Sequence, residues 1–315
     1  MPDHHAAPPA RAQTALRHGA GYSARPAPVY FDLLEPDAGP SRGTVMMVHG
    51  GSHTGSCYLR TVDGRPGWAH LFAAAGYRVA VPDWPGRGRS GHVPMDELTG
   101  ALVAAGLGGV IEALGGPVIL LTHSMSGAYG WRLMETHGPA IQAVVGVAPA
   151  QPGNIQAVPP VTRETDDFVE LAGQAVFQRL DKRAPVLPSQ AFVEKKLVGD
   201  SRHFPRRLMA DYAASLHPIA PRLVYERLNV GGSQLKVGRT ESLKGKPVLV
   251  LTGTDDLDHP RAVDAAIVDW LNAAGARAEF RWLGDAGILG NGHMLMLEDN
   301  SDAIARIILD WLAGR

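Results

Sequence analysis

An apolar run, Val118-Ile119-Leu120-Leu121, ends in Thr122-His123-Ser124-Met125-Ser126-Gly127. A serine at this spacing can be a nucleophile at the tip of a sharp strand-to-helix turn. The residues two before and two after it must then be small to avoid collision. The usual pattern is G-x-S-x-G. Here Thr122 and Ser126 replace the outer glycines, both still small, and Gly127 follows. A serine that only shapes a turn is the competing reading. Its hydroxyl is a poor nucleophile near neutral pH, so a histidine must take the proton and an acid must orient that histidine. On such a strand-turn-helix scaffold the partners follow in the order Ser, Asp/Glu, His.

The chain offers that order. His293 stands in the glycine-rich Gly290-Asn291-Gly292-His293-Met294, after the last apolar run and before the final helical pattern. A loop at the carboxyl end of a sheet is where a ligand-facing residue belongs. His259 and His217 are weaker alternatives, and His123, beside Ser124 in sequence, is expected to pack. The acid lies in Gly253-Thr254-Asp255-Asp256-Leu257-Asp258. The spacing G-x-x-D selects Asp256, with Asp255 and Asp258 as alternatives and Asp258 the best suited to capping a helix. The preceding strand is followed by Val147-Ala148-Pro149-Ala150-Gln151-Pro152-Gly153-Asn154, which has no carboxylate. Backbone donors for a developing oxyanion are expected where paired glycines end the first parallel strand, in His49-Gly50-Gly51-Ser52. The donors selected are the N–H groups of Gly51, with Ser52 as a substitute, and of Met125. His49 is expected to be structural. His53 and Trp84, in loops after neighbouring strands, are expected to face the substrate pocket.

These side chains need a scaffold. Short apolar runs recur at 45–48, 79–81, 118–121, 144–147, 248–251 and 278–283. They are near-continuous, as strands of a parallel sheet covered on both faces are. Between them, Trp68, Leu71, Phe72 and Ala75 follow helical spacing, with Gly76 placed for a left-handed helix end. Val263, Ile267, Trp270 and Leu271 form a second stripe. Ile304, Ile307, Ile308 and Trp311 form a third, which Asn300 or Ser301 could cap. Alternating strands and helices predict an α/β fold with a mostly parallel central sheet flanked by helices. Pro28-Val29-Tyr30-Phe31 suggests antiparallel strands at one edge. Gly108-Gly109 and Gly115-Gly116 are read as turns. From 151 to 246 no buried strand is evident, and Pro, Arg and scattered aromatics (Phe168, Phe177, Phe192, Phe204, Tyr212, Tyr225) predict a mainly helical cap. The organisation is then a flexible arm over 1–20, a core over 21–150 and 247–315, and a cap insertion over 151–246.

The bulk composition narrows the chemistry. A formal net charge of -1 gives no electrostatic case for nucleic acid or an anionic membrane. No apolar run approaches the roughly 18 residues of a membrane span. The start, MPDHHAAPPARAQTALRHGA, lacks the apolar centre of a secretory signal, and its His4 and His5 belong to the arm. A single cysteine, Cys57, excludes an intrachain disulfide and fits a reducing cytoplasm. No HExxH or phosphate-binding glycine pattern occurs, so neither metal nor cofactor is expected.

Taken together, His49-Gly50-Gly51, Asp83-Trp84-Pro85-Gly86-Arg87-Gly88-Arg89-Ser90, His123-Ser124-Met125-Ser126-Gly127, Gly253 to Asp256 and Gly292-His293 resemble the α/β-hydrolase superfamily from about Tyr30 to the end. Within it the chain is similar to a bacterial esterase branch. This rests on Gly50-Gly51-Ser52-His53-Thr54-Gly55, Asp63-Gly64-Arg65-Pro66-Gly67-Trp68 and Gly290-Asn291-Gly292-His293-Met294. The resemblance implies that the Asp83–Ser90 segment is mostly structural. Some members of that branch place a glutamate after the earlier strand, where this chain has none, so Asp256 stands on its own context. Dehalogenases and epoxide hydrolases of this fold carry a carboxylate where Ser124 stands. The expectation is a serine hydrolase of a small-molecule carboxylic ester or lactone, without a cofactor. A homodimer is left open, and so are C–C bond or amide hydrolysis and a receptor-like protein with little turnover.

Overall fold

Five of the six apolar runs become strands with almost no exposed surface, and the sixth, 278–283, forms a half-exposed strand at one edge of the sheet. The computed structural model describes residues 16–24, 26–36, 39–173 and 176–315. In chain order the strands are β1 (Leu16–Ser23), β2 (Val29–Pro36), β3 (Thr44–Val48), β4 (Arg78–Pro82), β5 (Val118–His123) and β6 (Ile141–Val147). Then come β7 (Val161–Glu164), β8 (Phe168–Leu171), β9 (Arg179–Asp181), β10 (Pro247–Thr252) and β11 (Arg277–Trp282). Eight of them form one sheet in the order β1-β2-β4-β3-β5-β6-β10-β11. β1 pairs antiparallel with β2 and β2 antiparallel with β4, while every pair from β4 to β11 is parallel. Residues 45–48, 79–81 and 248–251 are wholly buried, as strands covered on both faces must be. The chain steps from β3 to β4 on one side and then to β5 on the other. The carboxyl ends of β3 and β5 therefore flank a topological switch point, where α/β sheets place their ligands.

The helices are α1 (Ser56–Leu59), α2 (Trp68–Ala74), α3 (Gly100–Leu114), α4 (Ser126–Thr136), α5 (Met209–Ala214), α6 (Pro221–Arg227), α7 (Arg261–Ala273) and α8 (Ser301–Ala313). Gly76 follows α2 with φ +94°, as its spacing predicts. Gly108-Gly109 is not a turn but lies inside α3. A Cβ at Gly108 would stand 2.4 Å from His137 Cε1, so this glycine lets α3 approach the end of α4 closely. Gly115 does end that helix, with φ +71°. Asn300 occupies the N-cap position of α8, but its side chain bonds Asn291 and not the helix. No helix among the described residues is long and apolar enough to cross a membrane.

Two further sequence expectations change. The arm was expected to run to residue 20, yet residues 16–20 belong to β1; positions 1–15, with His4 and His5, lie outside the described residues. The insertion over 151–246, expected to be a mainly helical cap, is not only helical, because β7, β8 and β9 form a small antiparallel sheet. These strands have three or four residues, and β7 is exposed at every position. Such segments are too short and too polar to print a period on the sequence. The rest of the insertion carries a single π-helical segment (Phe192–Val198), α5 and α6. Phe177 packs on Phe192 and Phe204 on Tyr212, forming the cap's own core.

The 151–246 insertion is hydrogen-bonded to the loops after β3 and β11. His217 N–H donates to Ser52 O (2.9 Å), Arg202 N–H to Gly290 O (2.8 Å), and Asp299 N–H to His203 O (2.8 Å). The loops after β3 and β11 are thereby held from above as well as by the sheet.

Candidate active site

β5 runs into α4 through a turn that sets Ser124 at φ +53°. For a residue with a Cβ this conformation costs on the order of 1–2 kcal/mol. The surroundings enforce it. Ser124 N–H donates to Val147 O (3.1 Å), and Ser124 O accepts from Gly127 N–H and Ala150 N–H, each at 2.8 Å. Gly127 must be glycine, since a Cβ there would lie 2.6 Å from Ala150 N. The replaced glycines find other solutions. Gly130 leaves room for the Thr122 methyl, which a Cβ there would meet at 2.9 Å. Ser126 Oγ accepts from His123 N–H (2.9 Å) and faces His123 O (2.8 Å) and Val48 O (3.0 Å) as acceptors. Ser126 thus ties the turn to the end of β3.

His293 Nε2 lies 2.8 Å from Ser124 Oγ, and its Nδ1 lies 2.7 Å from Asp256 Oδ2. A carboxylate only accepts, so Nδ1–H donates to Asp256 and Nε2 is left to accept the serine proton. Asp256 Oδ1 accepts from the N–H groups of Asp258 (2.9 Å) and His259 (3.2 Å), which fixes the carboxylate plane. Burial by itself would raise the Asp256 pKa. The pull of His293 and His259 outweighs it, and the carboxyl sits below its ordinary value. Neither alternative aspartate faces His293. Asp255 accepts from Thr254 and pairs with Arg202, and Asp258 pairs with Lys196 and Arg227.

The loop of His293 is shaped by a residue that the sequence gives no reason to single out. Glu298, wholly buried, accepts from Ser201 Oγ (2.5 Å), Asn291 Nδ2 (2.5 Å) and Gly292 N–H (2.7 Å). His123 Nε2–H donates to His293 O (3.0 Å), which makes His123 a support of the loop as well as a packing residue. His259 stacks on the His293 ring with centroids 5.1 Å apart, and its Nδ1 bonds Asp264 (2.9 Å). Burial would depress His259, but the carboxylates of Asp264, Asp256 and Asp258 hold it above its ordinary value. His259 is therefore not a rival base but part of a charge-compensated floor under Asp256.

Gly253 lets the two loops meet. A Cβ at this position would stand 2.3 Å from Asn291 O and 2.8 Å from Gly292 O. Gly253→Ala must push the acid loop away from the His293 loop. A misplacement of about 1 Å at such a pair costs about 100-fold in rate. We expect Gly253→Ala to lose about that much kcat on any substrate of this site while its circular dichroism stays native; unchanged kcat would mean that the loops move together.

The Gly50–Gly51 loop lies over Ser124. A Cβ on Gly50 would be 2.9 Å from Ser124 Cβ, and one on Gly51 would be 3.2 Å from both Met125 Cε and Ile219 Cδ1 of the cap. No acceptor among the described residues takes the N–H of Gly51 or of Met125. Ser52 has φ +62°, and its carbonyl is used by His217. His49 Nδ1–H donates to Gly50 O (2.8 Å) while its Nε2 accepts Trp84 N–H (3.2 Å), the loop-bonding role expected of it. His53 is buried, its Nδ1–H donating to Gly51 O (2.7 Å) and its Nε2 accepting from Tyr212 OH (3.0 Å). It lines a cavity of about 260 Å³ with Tyr212, Ser56, Cys57, Arg60 and Leu297. Burial pushes His49 down to about 3 and His53 to about 4, so both are neutral at pH 7. Trp84 differs from expectation. It is wholly buried between His49 (4.6 Å) and Tyr129 (5.2 Å), a wall behind the loop and not a pocket face.

The comparisons with known proteins agree with this architecture. The model of the alpha/beta hydrolase family matches residues 45–307. A probable secreted lipase of a fungal species (strain ATCC 74256) is 24% identical over 346 residues, spanning 90% of this chain and 85% of its own. Among solved structures, a novel bacterial esterase superposes with a TM-score of 0.57 at 19% identity, over 100% of this chain and 99% of its own. The monoacylglycerol lipase of Paleococcus ferrophilus does so with a TM-score of 0.62 at 20% identity, over 91% and 98%.

Proposed function

Because the chain belongs to the alpha/beta hydrolase family, we propose that it is a serine hydrolase that cleaves a carboxylic ester or lactone through an acyl-enzyme. The observation that carries this reading is the continuous chain Ser124 Oγ–His293 Nε2, His293 Nδ1–Asp256 Oδ2, at 2.8 and 2.7 Å, beside two unclaimed N–H donors. Ser124 Oγ attacks the carbonyl carbon as His293 Nε2 takes its proton. The carbonyl electron pair moves onto oxygen, where the N–H groups of Gly51 and Met125 hold the oxyanion. As the carbonyl re-forms, the bond to the alcohol oxygen breaks and His293 gives that oxygen the proton. Water then repeats the sequence on the acyl-enzyme, releasing the acid and restoring Ser124. Asp256 keeps the Nδ1–H tautomer and stabilises the imidazolium. Every proton is returned, so the cycle needs no cofactor. The lipase and esterase names among the relatives favour ester chemistry.

The test is a fluorophosphonate probe alongside a p-nitrophenyl ester series. We expect one label per chain, mapped to Ser124, and multiple turnover of the esters. Label without turnover would move the substrate toward amide or C–C bonds. Neither label nor turnover would make the protein a ligand-binding member of the fold.

A further inference from the structure

Arg87 occupies the middle of the Asp83–Ser90 segment, and its environment is not that of a structural arginine. Its side chain is 6% exposed. Among the described residues it makes one hydrogen bond, from Nη2 to Pro218 O of the cap (2.8 Å), and no ion pair, while Nε is buried without a partner. Its guanidinium lies 5.9 Å from the Trp84 ring centroid. The nearby Asp83 favours its charge through space but makes no direct ion pair with it: both Asp83 oxygens are taken by Gly55 N–H and by the backbone and side chain of Arg89. Burying a guanidinium without a direct ion pair is costly, and one bond to a carbonyl could be made by a neutral side chain.

The position is next to the site. Pro218 lies between His217, whose N–H holds Ser52 O, and Ile219, which packs on Gly51. Behind it, Trp84 stacks on His49, which bonds Gly50 O. Arg87 therefore stands behind the loop that covers Ser124, at the seam between core and cap.

We propose that Arg87 binds a carboxylate carried by the substrate, so that the ester turned over at Ser124 is anionic, with its carboxylate on the Gly51 side of the scissile carbonyl. This rests on the hydrolase reading above. A planar guanidinium with unused donors matches a carboxylate in shape and charge. The charge count selects a monoanion. Burial lowers Arg87 only to about 10, so it is a cation at neutral pH, whereas the adjacent His49 and His53 are neutral. One cation compensates one carboxylate and would leave a phosphate dianion half unpaired.

The experiment uses two matched pairs of esters, because the carboxylate could sit on either arm. For the acyl arm these are p-nitrophenyl hydrogen glutarate and p-nitrophenyl valerate. For the alcohol arm they are 3-acetoxybenzoate and 3-acetoxytoluene. In at least one pair the wild type is expected to favour the anionic member at least tenfold in kcat/KM. Arg87→Met should lower that ratio at least tenfold, whatever its absolute rates, and Arg87→Lys should keep part of it. No anionic preference in either pair, which the wild type alone reveals, overturns the proposal, and so does a preference that survives in Arg87→Met. A second readout needs no turnover: millimolar glutarate should raise the Tm of the wild type and not that of Arg87→Met, and equal shifts or none in both count against Arg87. If neither ester of either pair is hydrolysed, the ester reading fails by itself, and the glutarate shift still decides the anion site.

Discussion

Ser124→Ala is expected to lose on the order of a million-fold in kcat on the best p-nitrophenyl ester, by analogy with other serine triads. The loss is a chemical one, because the variant changes little else. Ser124 is held at φ +53° by three backbone hydrogen bonds that do not involve its side chain, and alanine carries the same Cβ. The turn, the unclaimed N–H groups of Gly51 and Met125, and the His293–Asp256 pair should remain. The residual rate then reports what oxyanion donors and binding contribute without a nucleophile. KM should move far less than kcat. Ser124→Gly separates strain from chemistry. It should be equally inactive, yet melt at a higher temperature than Ser124→Ala, because glycine adopts positive φ without cost. Activity within tenfold of wild type in Ser124→Ala would return Ser124 to the role of a turn-forming serine.

The legibility of the chain follows the length of each signal. Strands buried on both faces write unbroken apolar runs, and five of the six runs read from the sequence lie within such parallel strands of the central sheet, while 278–283 covers the half-exposed β11 and one residue beyond it. α2, α7 and α8 carry apolar stripes and were equally visible. α3 was not, because Gly108-Gly109 reads as a turn; Gly108 is there so that His137 can come close, as Gly106 is for Pro85, which no local pattern announces. The cap sheet was missed for the opposite reason, since strands of three and four residues are shorter than the period that identifies them. Within the site, residues with distinctive chemistry in glycine-rich loops could be picked out, and Ser124, His293 and Asp256, far apart in the chain, lie within hydrogen-bond distance in space. Residues that act by holding loops could not. Glu298 follows an apolar run and has no local signature, although three donors converge on it. Ser126 was read only as small, whereas its hydroxyl joins β3 to the turn. Arg87 was hidden by its own motif, where an exposed structural arginine and a buried unpaired one look the same.

Asp256→Asn should lower kcat by about four orders of magnitude with its fold intact, the scale seen when a triad acid becomes an amide. The hydrogen bonds around Asp256 say why. Oδ1 is the acceptor for two backbone N–H groups, of Asp258 and His259. An asparagine keeps those two bonds only by placing its own oxygen there, which turns its NH2 group toward His293 Nδ1. That nitrogen must then be an acceptor, so the imidazole proton moves to Nε2. Ser124 Oγ now meets an N–H where it needs a lone pair, and the histidine cannot take its proton. The imidazolium formed at the transition state also loses the buried carboxylate beneath it. Asp255→Asn and Asp258→Asn serve as controls. Their carboxylates face Thr254 and Arg202, and Lys196 and Arg227, so neither substitution changes the tautomer of His293. Both should keep kcat within about tenfold, although Asp258→Asn leaves two half-buried cations, Lys196 and Arg227, without their partner and should melt at a lower temperature. A kinetic ranking in which Asp258→Asn equals or exceeds Asp256→Asn would shift the acid to the neighbouring position. The expected ranking ties the Asp256 carboxylate to the tautomer of His293, and through it to the proton on Ser124.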